Sequence, residues 1–181
     1  MSELDLKRNF VPIKIGLLTI SDTRNFQSDK SGDLLASKIT EAGHYLVKRE
    51  ITQDNISKIR NNLKQSIKDK NIDVVISTGG TGLTGKDVTP EAFRSVFDKE
   101  IEGFGEMFRY ISFQKIGTSS LQSRAVAGVS GGTYLFALPG SPSACRDAWD
   151  SLLVYQLDYR HRPCNFVEIM PRLLEVGVTG R

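Results

Sequence analysis

The sequence predicts one α/β domain of three layers, with helices on both faces of a mostly parallel central sheet that also carries an antiparallel hairpin. Three observations predict it. Apolar runs that do not alternate with polar residues begin at Ile13 ("IKIGLLTI"), Asp73 ("DVVIST") and Tyr134 ("YLFAL"), the pattern of strands buried on both faces and therefore parallel. Helical patterns separate the first two of these runs, giving the strand, helix, strand, helix, strand order of a doubly wound sheet. Finally, "AVAGV" and "TYLFALPG" flank Ser130, Gly131 and Gly132, which reads as a hairpin with a glycine turn.

Taken in order, "SGDLLASKITEAG" follows the first strand and sets Leu34, Leu35, Ile39 and Ala42 on one helical face, with Gly43 as the stop. A weaker strand, "HYLVKREI", comes next. Ile56, Ile59, Leu63 and Ile67 then mark a second helix, ending among Lys68, Lys70 and Asn71, where the helix dipole favours positive charge. Past the second buried strand, a short helix is expected from Pro90 and another at "GFGEMFRYISF", in which Phe104, Phe108 and Ile111 share a face. Beyond the hairpin, Ala144, Ala148 and Leu152 at four-residue spacing indicate a helix from about Pro142 past Leu152. "LDYRHRPCNF" reads as irregular and basic, and "EVGVTGR" as a frayed tail. The domain is expected over residues 13–168, with 1–12 an N-terminal extension and 169–181 a C-terminal tail.

A chain of 181 residues that is 39% hydrophobic can bury one real core and is short for two. The net charge of +3, from 24 Lys plus Arg against 21 Asp plus Glu, is small and evenly spread, so nucleic acid is not an expected partner. Cys145 and Cys164 form no CxxC pair and have no histidine at ligand spacing, which argues against a zinc site and a disulfide framework. No signal-peptide pattern and no run of about 18 apolar residues is present, so a cytoplasmic protein without membrane spans is expected.

The stretch with most chemical content is "STGGTGLTGKDVTPEAF", residues 77–93. Within it "GTGLTGKD" satisfies GxxxxGK but has Asp87 where a phosphate-binding P-loop has Ser or Thr, and "GTGLTG" fits the dinucleotide pattern GxGxxG. Both readings fail on Pro90, which lacks the amide a helix running on from the loop would need and pushes Thr89 out of helical angles. The dinucleotide fingerprint also belongs after the first strand of a sheet, not here. A third reading fits: Thr89 caps a new helix, Pro90 takes its first position, Glu91 lies in its first turn, and the glycines cross the carboxyl end of a buried strand as an anion cradle, with Asp87 at the rim as an oxygen ligand suited to magnesium.

These residues, together with "LLTISDTR", "GFGEMFRYISF", "GTSSLQSRAVAGV", "LPGSPSACRDAW" and "QLDYRHRPCNF", closely resemble the MoaB/Mog family of molybdenum cofactor biosynthesis proteins. The resemblance runs from about Phe10 to Phe166, and the entry "FVPIKIG" and the last segment are closest to the MoaB branch. It implies the family's molybdopterin-binding domain fold and a molybdopterin adenylyltransferase: AMP passes from ATP to the terminal phosphate of molybdopterin, and pyrophosphate is released with the help of Mg²⁺. Carried onto this chain, Gly79, Gly80, Thr81 and Gly82 would cradle phosphates. Asp87 with Thr89 would form the acidic turn, and Asp54 would be the other important acid, these two aspartates being the catalytic and metal-binding pair. Ser21 and Asp22 would border the same pocket, and Pro139, Gly140, Ser141 and Ser143 would form a second ligand-facing turn. Self-association as a trimer or hexamer is implied as well.

Structural roles compete at several of these positions. Asp54 precedes a helix, where Asp is a favoured cap, and Ser141 before Pro142 is a natural helix opener, as Thr89 is before Pro90. Ser21 and Ser143 read equally as turn residues, and Lys86 either balances triphosphate charge or is simply solvated. Phe104, Met107, Phe108 and Trp149 suit a core or a subunit interface; Arg160, Arg162 and Arg172 suit phosphate, a partner or plain solvent; His44 and His161 have no partners at catalytic spacing. Two further functions remain open: an accessory protein that holds molybdopterin without adenylylating it, and a regulatory nucleotide-binding domain.

Overall fold

The computed structural model of the protein describes residues 3–175. Along the chain it forms β1 (Glu3–Leu4), β2 (Lys14–Ile20), α1 (Lys30–Glu41), β3 (Tyr45–Thr52), α2 (Ile56–Lys68), β4 (Val74–Thr78), α3 (Thr89–Arg94), β5 (Lys99–Glu100) and α4 (Glu102–Ile116). The remainder forms β6 (Val126–Ser130), β7 (Thr133–Leu138), α5 (Pro142–Ala148), α6 (Val154–Gln156), β8 (His161–Arg162) and α7 (Phe166–Ile169). The main sheet has six strands in the order β3-β2-β4-β7-β6-β5. Its first four are parallel, while β6 runs antiparallel to β7 and to β5.

Alternating residues of β2, β4 and β7 feed two cores. Ile15, Leu17, Val74, Ile76, Tyr134, Phe136 and Leu138 pack with Leu35, Ile39, Phe104, Phe108 and Trp149 on one face. Leu18, Ile20, Val75, Leu135 and Ala137 pack with Ile59, Leu63 and Phe93 on the other. Burial on both sides explains why these strands show no polar alternation, and it gives the three layers the sequence predicts. The hairpin turn is Gly131 and Gly132, with φ of 55° and 87°, both in the left-handed region that a two-residue turn of this hand requires.

Three local expectations need correction. Ile56 opens α2 on the solvent side and is 42% exposed, because the first residue of the helix precedes the turn that faces the sheet. Of the four large residues read as core or interface, Phe104, Phe108 and Trp149 are core, while Met107 is exposed and so free of the core. The helix from Pro142 is not uniformly α-helical: Trp149–Leu153 is a π-helical stretch, and the buried residues are Cys145, Ala148, Trp149, Leu153 and Leu157, so Ala148 is buried as expected while Ala144 and Leu152 are only half-buried. A strict four-residue spacing advances by about 40° per step on an α-helix, and the wider π turn absorbs that drift.

The "LDYRHRPCNF" segment is also more ordered than its composition suggests. Its His161 and Arg162 pair antiparallel with Leu4 and Glu3 to make a small second sheet. The Arg8 guanidinium lies 3.7 Å from the Tyr159 ring centre and donates to Tyr159 O and to the Glu168 carboxylate. Strands of two residues are too short to leave a periodic signal, so only the long-range pairing reveals them. Apart from Glu175, "EVGVTGR" lies outside the described residues. Among the described residues no helix is long and apolar enough to cross a membrane.

Candidate functional site

From β2 the chain adds β3 on one side and, after crossing back, β4 on the other. Such a reversal opens a crevice beyond the carboxyl ends of the strands, where open α/β sheets bind ligands. The residues that leave those ends are Ser21 and Asp22 after β2, Asp54 after β3, Gly79 and Gly80 after β4, and Pro139 to Ser141 after β7. All the sequence-predicted site residues therefore belong to segments that start from this one edge.

The glycine loop is shaped by contacts that leave no room for side chains. Gly79 and Gly80 have φ of 110° and 64°. A Cβ on Gly79 would come 2.2 Å from Ile20 O, and one on Gly80 would come 2.3 Å from Thr89 Oγ1 and 2.9 Å from Asp54 Oδ1. Both positions need glycine for its backbone freedom and for the close approach. Thr89 closes the loop from the far side: its hydroxyl donates to Gly79 O at 2.9 Å and its amide to Gly80 O at 3.0 Å. This corrects its expected role as a cap. The helix starts at Thr89 itself, after Val88, and the hydroxyl is spent on the loop carbonyl.

Asp54 and Asp87 both lie against this loop, Asp54 at Gly80 and Asp87 at Gly82, where a Cβ would meet Asp87 Oδ2 at 2.8 Å. Asp54 and Asp22 bind each other reciprocally: Asp22 N donates to Asp54 Oδ2 at 2.9 Å, and Asp54 N donates to Asp22 Oδ1 at 3.2 Å. Asp54 is therefore not the cap of α2; Asn55 is, accepting from the amides of Ser57 and Lys58. Partial burial raises the Asp54 carboxyl above the usual carboxylate range, and the nearby charges of Asp22 and Asp87 add to the effect. Asp87 goes the opposite way. Bonds from the Thr84 hydroxyl and amide, at 2.6 and 2.9 Å, hold it below the usual range. Lys86 is largely exposed and pairs with Asp22 at 3.1 Å, lowering that carboxyl.

The second turn is anchored from beneath. Thr78 Oγ1 donates to Pro139 O at 2.9 Å, and Ser141 caps α5 by accepting from Ala144 N at 3.2 Å, its hydroxyl lying 3.3 Å from that of Ser143. Arg24 reaches across from the β2 side to donate to Gly140 O at 3.0 Å and to Ser31 Oγ at 2.5 Å. Behind it, Asp29 is fully buried and accepts from Thr19 Oγ1 at 2.7 Å, Gly32 N at 3.0 Å and Arg49 at 3.1 Å. Burial works against its charge, but these bonds prevail and its carboxyl stays low.

Between the two turns lies a cavity of about 410 Å³, lined on one side by Gly80, Thr81, Gly82 and Asp87, and on the other by Pro139, Gly140, Ser141, Phe108 and Ile116. A polar, amide-bearing wall thus faces a partly apolar one, an arrangement suited to a ligand with an anionic end and a flat organic body. Ser21 turns inward on its own segment, accepting from the amides of Thr23 and Arg24 at 3.2 Å. Among the described residues no group of three or more His, Cys, Asp or Glu side chains converges as a metal cage. The donors that fit a hard cation are the carboxylate oxygens of Asp54 and Asp87, with ligand phosphates and water completing its shell. A cation there would offset only the part of the Asp54 shift that comes from Asp22 and Asp87, burial being the larger cause.

Sequence reasoning missed Arg24, Arg124 and Asp29. Arg124 donates to Gly82 O and Asp87 O and pairs with Glu91, holding the loop from outside. Its segment stands out in the sequence only through "GTSSLQSRAVAGV", which carries the family resemblance but no recognisable ligand-binding pattern.

The chain is similar to known proteins over most of its length. A family model described as a probable molybdopterin binding domain matches residues 16–159. Molybdenum cofactor biosynthesis protein B of Escherichia coli (strain K12) is 50% identical over 157 residues, covering 87% of this chain and 92% of that protein. The protein of the same name from Staphylococcus epidermidis is 43% identical over 156 residues, covering 82% and 86%. A crystal structure of molybdenum cofactor biosynthesis protein B aligns with a TM-score of 0.81 at 41% identity, covering 83% of this chain and 94% of that one.

Proposed function

The chain belongs to the molybdopterin-binding domain family of molybdenum cofactor biosynthesis, and on that footing we propose that it is a cytoplasmic molybdopterin adenylyltransferase. The observation that carries this reading is the placement of two carboxylates, Asp54 and Asp87, against one glycine loop at the carboxyl ends of parallel strands.

In the proposed reaction a terminal phosphate oxygen of molybdopterin attacks the α-phosphorus of ATP. That P–O bond forms as the bond from the α-phosphorus to the bridging oxygen breaks, and pyrophosphate leaves with the electron pair. A phosphate monoester with a second pKa of about 6 is already mostly dianionic at neutral pH, so no strong general base is needed. This fits a site whose histidines lie elsewhere. His44 is buried beside Phe10 and Trp149, and burial lowers it to about 4. The chain's task is to position the two phosphates in line and to bind their charge. The backbone of Gly80, Thr81 and Gly82 would supply N–H donors, the Pro139–Ser141 turn would hold the other end of the ligand, and Phe108 and Ile116 would exclude water beside it. Mg²⁺ entering with ATP would be held by Asp54 and Asp87 and would neutralise charge on the phosphoryl oxygens.

The test is direct: purified protein given ATP, Mg²⁺ and molybdopterin should yield pyrophosphate and adenylyl-molybdopterin, and Asp87→Ala should stop turnover in a folded protein. Pterin binding without pyrophosphate would instead identify an accessory carrier, and ATP affinity indifferent to pterin would identify a regulatory nucleotide-binding domain.

Self-association as a trimer or hexamer is part of the same proposal. Besides the buried Phe104 and Phe108, α4 exposes Met107, Tyr110, Phe113 and Ile116 at three-residue spacing. These side chains wind round the exposed side of α4 rather than along one line, and an exposed apolar surface of that kind suits a second copy. Light scattering on the wild type and on Tyr110→Glu with Phe113→Glu would test it, the double variant being expected to dissociate.

A further inference from the structure

Residues 82–87 have neither helix nor strand structure, yet they carry Asp87. What holds them is a residue far away in the chain. Arg124, just ahead of β6, donates from Nε to Gly82 O at 2.8 Å and from Nη2 to Asp87 O at 2.5 Å, and its Nη1 pairs with the Glu91 carboxylate. Two of these acceptors are main-chain carbonyls at the two ends of the loop, and the third sits in the first turn of α3. A planar guanidinium offers five N–H donors in fixed directions and can serve all three acceptors at once, which a lysine ammonium cannot match.

The loop is thereby closed into a ring whose clasp stands on the sheet. Inside the ring Asp87 N donates to Thr84 O at 3.0 Å, and the Thr84 amide and hydroxyl bind the Asp87 carboxylate. The carboxylate thus keeps its direction only while the two ends of the loop stay together. Glu91 orients the clasp. Burial raises its carboxyl, but the bond from Arg124 outweighs that and keeps it low and charged.

We propose that Arg124 is a positioning residue: by bridging Gly82 O, Asp87 O and Glu91 it fixes the Gly82–Asp87 ring and so holds the Asp87 carboxylate toward the ligand cavity. Where activity is the readout, the proposal rests on the adenylyl-transfer reading above; backbone hydrogen exchange tests it without that reading.

Arg124→Ala should speed exchange in residues 82–87 by roughly tenfold or more while β6, β7 and α4 keep wild-type protection. Its kcat should fall about 100-fold, as expected when a reacting geometry slips by an ångström, with a raised half-saturating Mg²⁺ and an unchanged KM for molybdopterin. Added guanidinium at millimolar levels should restore part of kcat, and ammonium should not. Glu91→Gln leaves both carbonyl bonds in place and should shift exchange and kcat in the same direction by less, which guards against an Arg124→Ala protein that does not fold. Two results would overturn the proposal: kcat lost with loop exchange unchanged, which would make Arg124 a direct substrate contact, or exchange rising equally throughout the sheet. If the wild type makes no adenylyl-molybdopterin, the adenylyl-transfer reading fails alone and the exchange comparison decides the role of Arg124.

Discussion

Asp54 and Asp87 border the same glycine loop, yet their surroundings differ in kind. Asp54 stands on the β3 side, partly buried and coupled to Asp22, in a group of acids that raises its carboxyl. Asp87 stands in a loop rich in donors, where the Thr84 hydroxyl and amide, and more remotely Arg124, stabilise its charge. Under the adenylyl-transfer proposal the difference would separate two tasks. Asp87 is an anion held by donors, whereas Asp54 is disfavoured as an anion first by its partial burial and then by the charges of Asp22 and Asp87.

The largest expected effect breaks the pair outright. Replacing either aspartate by alanine should lower adenylyl transfer on the order of 10³-fold, comparable to losing a principal charge-stabilising group, as read by pyrophosphate release. A variant that kept most of its activity would remove that residue from the metal-binding pair.

Next is the loop between them. Gly80→Ala would combine a φ of 64° with a Cβ 2.3 Å from Thr89 Oγ1. A loss of about 1–3 kcal/mol in urea unfolding is expected, together with weaker ATP binding, since both carboxylates lean on this backbone.

A smaller effect sharpens the comparison through its sign. Asp54 has a raised carboxyl in the folded protein, so its ionisation opposes folding: stability is highest with the group protonated and declines as pH rises from the unfolded to the folded value. Asp87 has a lowered carboxyl, so its contribution is present above the unfolded value and is lost as pH falls through the folded one. At neutral pH without divalent cations, Asp54→Asn should therefore stabilise the protein, by less than about 1 kcal/mol because solvent screens a partly exposed group. Asp87→Asn should destabilise it by less than about 1 kcal/mol, the effect being screened by solvent. Denaturation midpoints measured in a chelating buffer would decide, and shifts of equal sign would contradict the two environments.

Lys86→Ala should do least. Its ammonium is 81% exposed and pairs with Asp22 on the surface, so stability should change by no more than about 0.5 kcal/mol. Nuclear magnetic resonance titration should show the Asp22 carboxyl moving upward, because its bond from Lys86 is the chief cause of its lowering.

The fold was legible where many neighbouring residues repeat one pattern. The two-sided strands, the faces of α1 and α2, the hairpin glycines and the start of α3 near Pro90 all follow from local periodicity and turn chemistry. Legibility failed at Thr89, whose hydroxyl had two possible uses and went to Gly79 O. It failed again at Trp149–Leu153, where four-residue spacing fits two helix types, and at β1 and β8, which are too short to repeat anything. Within the site, glycine positions could be recognised because only a strained crossing needs them. Arg24, Asp29 and Arg124 could not, since their partners lie elsewhere in the chain, as far as the 116 positions that separate Arg24 from Gly140.

By itself, the order of apolar runs and glycines determined a doubly wound sheet with a glycine crossing at the end of β4, because burial on both faces and left-handed backbone angles are demands each short segment meets alone. Only the tertiary structure decided that one aspartate would be partly buried beside like charge and the other clasped by donors. A carboxyl's charge state and direction depend on whatever lies within a few ångströms of it in space, and the folding of the whole sheet, not the spacing along any one segment, brings those groups together.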